Sequence, residues 1–114
     1  MERDKHDIGL TEAAELVLNE LVDKGWFNER QDAARFCLAY AVRAKIPEGV
    51  TERAQTRWSA GNFDSTGEIR ALLAALYPSC RTPVRLMEHL IHEGLRLLSA
   101  RLKSDSVGPG DLMD

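Results

Sequence analysis

Apolar residues recur at helical spacing near the start of the chain and predict a first helix. Four of them form one stripe: Ala14, Val17, Leu18 and Leu21. Thr11 is a favourable N-cap residue, and Gly25 suits the left-handed position that follows a helix. The pattern therefore predicts an amphipathic helix over about 12–24.

A second helix is predicted by a segment that is apolar on nearly all sides. Asn28 followed by Gln31 has the spacing of a capping box. Within 33–44 the charged residues are Arg35 and Arg43, and Pro47 ends the segment. A helix with so little polar surface is expected to be buried against its neighbours.

The second half of the chain predicts two more helices. Four residues spaced i, i+3, i+4 and i+7 form the first apolar face: Ile69, Leu72, Leu73 and Leu76. A capping box over 65–68 should start this helix, and Pro78 should end it. Thr82 with Pro83 is an N-cap followed by a first-turn proline, so a long helix should run from Pro83 to about Leu102.

Each pair of helices follows a segment that could be extended. Residues 6–10 alternate between apolar and polar side chains, which is typical of a strand, and residues 56–60 form a similar short segment. We therefore predict a mainly α fold with four principal helices in two helical hairpins, within one domain over 1–103. Its halves would be 6–46 and 56–102, with a linker over 47–64 and a disordered tail over 104–114. The halves share a pattern, which either duplication or any four-helix protein explains.

Composition limits the classes of protein that fit. The chain has 114 residues, 44% hydrophobic and 29% charged, which is typical of one globular domain. Charged residues interrupt every apolar run, so we expect no membrane-spanning helix. The N-terminal segment is charged and lacks the apolar core of a secretory signal, so we expect a cytoplasmic protein. The net charge of −3 argues against coating nucleic acid by bulk electrostatics.

Catalytic and metal-binding patterns are weak. The chain has no glycine-rich phosphate loop and no nucleophile elbow. His89 and His92 are three residues apart, unlike the zinc-binding histidines of metalloproteases, and pairing with nearby glutamates is the better interpretation. Cys37 lies in an apolar segment predicted to be helical, and Cys80 lies in a predicted loop. We therefore predict a protein that is not an enzyme, with no catalytic residues, metal or cofactor.

Residues 6–45 resemble a ribbon–helix–helix unit. The resemblance depends on the segment Ile8-Gly9-Leu10-Thr11 before the first helix and on residues 27–35 at the start of the second. The whole chain is similar to the small DNA-binding E subunits of bacterial DNA phosphorothioation machinery, proteins found among DNA-modification and phage-defence systems. This resemblance implies a homo-oligomer or complex subunit that contacts double-stranded DNA.

The resemblance implies two groups of DNA-contacting residues. Arg3 and Lys5 would face a groove from the ribbon, and Asn28 and Arg30 would face phosphate at the start of the second helix. A second basic set consists of Arg53, Arg57, Arg81 and Arg85. Arg85 lies in the first turn of a helix, where a cation needs compensation by phosphate or by an acid such as Asp64 or Glu68. For the residues of the ribbon and of the second helix start, the alternative interpretation is that they are ordinary solvated charges on an edge strand and a helix cap.

Two functions follow from these patterns. The first is a DNA-binding or DNA-associated accessory protein of a modification or defence system, with Arg57 and Arg85 as further DNA contacts. The alternative is a non-catalytic interaction subunit that does not contact DNA. The acidic balance and the apolar second and fourth helices favour this alternative.

Overall fold

The protein is mainly helical, as a computed structural model describes it over residues 3–104. The elements are β1 Asp7–Leu10, α1 Glu12–Asp23, α2 Arg30–Arg43, β2 Gln55–Ser59, α3 Ala60–Phe63, α4 Glu68–Leu76 and α5 Pro83–Ser104. The predicted mainly α character is confirmed, and α1, α2, α4 and α5 lie where the sequence predicted helices. The one-turn helix α3 was not predicted. The grouping of helices into two hairpins stays a prediction.

The described chain divides into two compact units. The first unit contains residues 3–11 and 47–89, and the second contains residues 12–46 and 90–104. The division falls within α5, so this helix contributes to both. The single domain over 1–103 and its halves, 6–46 and 56–102, stay predictions. The predicted linker over 47–64 contains β2 and α3. The first residue of the predicted tail, Ser104, is the last residue of α5. The rest of the predicted tail, residues 105–114, lies outside the described part of the chain.

The two strands form an antiparallel ribbon in the first unit. Ile8 is opposite Trp58 and Gly9 is opposite Thr56, so Arg57 is the extra residue of a bulge. The predicted extended segments are thus confirmed to within a residue at each end. A Cβ on Gly9 would lie 2.9 Å from the carbonyl carbon and oxygen of Gln55. The close approach of the two backbones therefore requires glycine here.

Helix α4 begins differently from the sequence prediction. Its N-cap is Gly67, with φ of 77°, and no capping box forms over 65–68. The buried carboxylate of Asp64 instead accepts hydrogen bonds from the amides of Ile69 and Arg70, each at 3.0 Å. The Arg70 guanidinium also donates to Asp64 at 2.9 Å. A charged acceptor makes stronger bonds to helix amides than a hydroxyl does, which accounts for the change of cap.

The second unit contains α1, α2 and the later part of α5. Gly25 adopts φ of 79° and ends the first helix as predicted. The predicted capping box of Asn28 and Gln31 is wrong, because α2 has Glu29 as its N-cap and makes no side-chain cap bond. Phe27, which precedes the helix, packs against Phe36 within it, with ring centroids 5.3 Å apart.

Helices α2 and α5 approach each other closely in this unit. A Cβ on Gly94 would lie 1.9 Å from the carbonyl oxygen of Cys37. Both residues are buried, and the α5 residues around Gly94 are at most 1% exposed: Leu90, Ile91, Leu95 and Leu98. The small residues of this crossing therefore let the two backbones come within contact distance.

In the part of the chain that is described, no helix combines the length and apolar character needed to cross a membrane.

Candidate nucleic-acid interface

Residues Arg3, Asp4 and Lys5, here called the basic arm, lie against the start of α5. Both carboxylate oxygens of Asp4 are bonded to that helix, one to the amide of Val84 and the other to the amide of Arg85, each at 3.0 Å. Asp4 therefore supplies the charged cap of α5 from a position 80 residues earlier in the chain. The helix begins at Pro83, as the sequence predicted.

Arg85 is compensated in a way that the sequence did not indicate. Its Nε donates to the carbonyl oxygen of Arg3 at 2.7 Å, while Asp4 neutralises the positive end of the helix beside it. Asp64, one of the two acids expected to pair with Arg85, instead has its carboxylate bonded to Arg70 and to the start of α4. The fold thus places two predicted DNA-binding residues, Arg3 and Arg85, in direct contact.

Glu88, on α5, binds both the basic arm and strand β1 of the ribbon. Its carboxylate, 1% exposed, pairs with the ammonium of Lys5 and accepts a hydrogen bond from the amide of Gly9 at 2.8 Å. The Lys5 side chain is 25% exposed. Because a buried carboxylate needs charged or hydrogen-bonding partners, this pairing directs the lysine ammonium toward the protein.

The ribbon presents polar side chains on β2. Gln55, Thr56 and Arg57 are all exposed, whereas Ile8, Gly9 and Leu10 of β1 are buried. The Nη1 atom of Arg57 donates to the carbonyl oxygen of Thr56 at 3.0 Å. Three consecutive exposed residues depart from strict alternation because the bulge at Arg57 turns one extra side chain outward. Arg57 therefore lies in the same unit as the basic arm and Arg85.

The other two predicted site residues belong to the second unit. Asn28 is exposed in the loop before α2. Arg30 is the first residue of α2, and its guanidinium pairs with Glu15 of α1 at 2.6 Å. The Nε of Arg30 is buried without a hydrogen-bond partner. The guanidinium of Arg30 therefore forms an ion pair that joins α2 to α1. Arg30 belongs to the second unit, whereas the other four cations predicted to bind DNA belong to the first.

A cleft of about 660 Å³ lies in the first unit, and the sequence did not predict it. Its walls are two short segments, 48–50 and 79–82. The thiol of Cys80 lies 3.9 Å from the hydroxyl of the buried Thr82, and the exposed Arg81 lies between them in sequence. Pro47 and Pro78 precede the two walls and mark both as segments without helix or strand, which is the signal that could have indicated a concave surface here.

The surroundings of Cys37 and Asp64 shift the pKa of each of these buried groups. Burial raises the pKa of the Cys37 thiol to about 12, so this cysteine stays protonated and unreactive at neutral pH. Burial also acts to raise the pKa of Asp64, but hydrogen bonds from the Arg70 and Ile69 amides and from the Arg70 guanidinium outweigh it. The net result is a lowered pKa for Asp64, which keeps it charged as the cap of α4.

The described residues form no cluster suited to a metal ion. Within 3–104, no three side chains of His, Cys, Asp or Glu lie close enough together to hold a metal ion. Glu93, which the sequence placed near His89 and His92, pairs with Arg96 at 3.2 Å. The absence of metal, cofactor and catalytic activity stays a prediction.

The fold of this chain is similar to that of DndE. The crystal structure of DndE from Escherichia coli B7A, a protein involved in DNA phosphorothioation modification, matches with a TM-score of 0.61 and 16% identity. The match covers 84% of this chain and 99% of that chain. No family model matches the chain, and no curated protein matches it in sequence.

The DndE-like fold confirms the predicted resemblance to phosphorothioation E subunits at the level of the fold alone. Assignment to the ribbon–helix–helix fold stays a prediction, although a two-stranded ribbon is present. Sequence reasoning missed Asp4 and Glu88, which hold the basic arm in place. No local motif marks them, because their partners lie about 80 residues away in the chain.

Proposed function

We propose that this chain is a non-catalytic accessory protein of a bacterial DNA-modification system, related to phosphorothioation, that acts in the cytoplasm. The observation that carries the proposal is the shared fold with DndE, which extends over nearly the whole of that chain. DndE is described as involved in DNA phosphorothioation modification. A role in a phage-defence system is part of the same proposal.

The proposed DNA surface lies in the first unit. It consists of Arg3 on the basic arm, Arg85 at the start of α5 and Arg57 on the ribbon. Arginine suits this role because its planar guanidinium makes two parallel hydrogen bonds to a phosphate. A two-stranded ribbon also fits within the major groove, where exposed side chains such as Gln55 and Arg57 reach base edges. This grouping of cations supports local DNA binding despite the net charge of −3.

The test is binding to fluorescent duplex DNA, both intact and nicked, over a range of salt concentrations. We expect affinity to fall steeply with salt, and Arg57→Ala to reduce the log–log slope by about 1 because one phosphate contact is lost. Arg43→Ala is the matched control, since it removes one exposed positive charge at the end of α2, outside the proposed surface. No binding by the wild-type protein at low salt would exclude direct DNA binding.

A second candidate function is that of an interaction subunit, either in a homo-oligomer or in a larger complex. Leu72 and Leu76 are each 50% exposed and lie four residues apart on α4, so they share one face of that helix. Two exposed leucines on one helical face favour contact with another protein. Sedimentation of wild-type protein and of a Leu72→Ser, Leu76→Ser variant tests this. We expect the variant to sediment as a smaller species, and identical sedimentation would count against self-association through α4.

A further inference from the structure

We propose that Asp4 and Glu88 are positioning residues for the DNA surface, an inference that rests on the proposed DNA binding. Both are acids placed directly among the cations of that surface. Electrostatics alone would make them unfavourable, because a carboxylate repels DNA phosphate. Their contacts give them a different role, which is to hold the basic arm at a fixed place on α5.

Asp4 fixes the direction of the arm. One carboxylate oxygen accepts from the amides of Arg85 and Lys5, at 3.0 and 2.9 Å, and the other accepts from the amide of Val84 at 3.0 Å. The two amides of α5 keep the carboxylate on the first turn of that helix, and the Lys5 amide fixes the carboxylate relative to the arm. The carbonyl of Arg3 then lies 2.7 Å from Nε of Arg85, so the backbone of one cation orients the guanidinium of the other.

Glu88 fixes the arm at a second point, one turn further along the same helix. It binds the ammonium of Lys5 and the amide of Gly9, so the arm and strand β1 share one anchor. Lys5 is thereby assigned to positioning, because its ammonium is paired with a buried carboxylate. Arg3, Arg57 and Arg85 remain as the residues that contact phosphate.

The physical consequence is preorganisation. Long cationic side chains and a terminal segment that are already ordered lose less conformational entropy when DNA binds. Removal of a positioning acid should therefore weaken binding, although it makes the surface more positive. For the same substitution, a positioning role therefore predicts lower DNA affinity, whereas electrostatics alone predicts higher DNA affinity.

The experiment measures DNA affinity for Asp4→Asn and Glu88→Gln in the full chain. Asn can accept with one oxygen only, so a bond to α5 is lost, while Gln retains an acceptor for the Gly9 amide and loses the charge that pairs with Lys5. We expect each variant to bind duplex DNA about three- to tenfold more weakly, the cost of reordering one or two long side chains. Asp23→Asn is the matched control, an exposed acid at the end of α1, and its affinity should stay equal or rise slightly.

Binding is measured at a temperature where circular dichroism shows every variant to be folded, so lost stability does not imitate lost affinity. Glu88→Gln provides the test if Asp4→Asn does not fold. Equal or tighter binding by the folded variants, with Arg57→Ala still weakened, would overturn the positioning role and leave the proposed function intact. Failure of the wild-type protein to bind DNA would overturn both the positioning role and the proposed DNA surface.

Discussion

The crossing of α2 and α5 in the second unit gives the sharpest prediction for stability. Gly94→Ala places a methyl group 1.9 Å from the carbonyl oxygen of Cys37, 2.6 Å from its carbonyl carbon and 3.0 Å from its Cα. All three atoms belong to the backbone, so no side chain can rotate away. Ordinary contact begins at 3.4 Å, and the helices must therefore separate by roughly 1.5 Å.

The magnitude follows from two opposing effects. Alanine favours helix over glycine by about 1 kcal/mol in a helix interior. Overpacking of a core costs about 1–3 kcal/mol, and separation of α5 from its neighbours also weakens the dispersion contacts of buried side chains such as Leu90 and Leu98. We therefore expect Gly94→Ala to lower the free energy of unfolding by about 2 kcal/mol, equivalent to a fall in Tm of about 8 °C.

The assay is urea unfolding followed by circular dichroism and by tryptophan fluorescence. In a Trp58→Phe background the remaining Trp26 reports on the second unit, where Gly94 lies. Gly61→Ala is the control for helix propensity, because Gly61 lies in α3 and a Cβ there meets no atom within 4 Å. The prediction would be refuted if Gly94→Ala were as stable as the wild type, or no less stable than Gly61→Ala. Either result would show that contact with the Cys37 backbone does not make alanine unfavourable at residue 94.

Two further predictions concern titratable groups. Because the folded pKa of Asp64 is lowered, its charged form stabilises the protein above the unfolded value of about 3.9, and this stability is lost as pH falls through the folded pKa. Asp64→Asn should therefore be less stable than the wild type at pH 7, and urea unfolding should show the difference shrinking below about pH 4; a constant difference would contradict the lowered pKa. A thiol reagent at pH 8 should label Cys80, which is partly exposed, and spare Cys37, which is buried with a pKa of about 12. Cys80→Ser should then react only after denaturation, and rapid labelling of the folded variant would be inconsistent with a buried Cys37.

The residues predicted to bind DNA show what depends on the fold and not on local sequence. The fold brings Arg3 into contact with Arg85 and places Lys5 and Arg57 in the same unit. Arg30 instead pairs with Glu15 in the second unit. The sequence identified cations without indicating which of them meet, because contacts between distant residues depend on how the helices pack. Whether these residues bind DNA stays a prediction.

The positions of the main helices and of both extended segments follow from local sequence. Helical spacing of apolar residues is a local property, and Gly25 and Pro83 mark a helix end and a helix start through their own backbone preferences. Which groups cap the helices and which charges pair depends on long-range packing. Asp4 caps α5 in preference to a local residue, and Glu88 joins that helix to Lys5 and Gly9. These bonds form only once folding has brought together residues about 80 positions apart, so no short pattern in the chain encodes them.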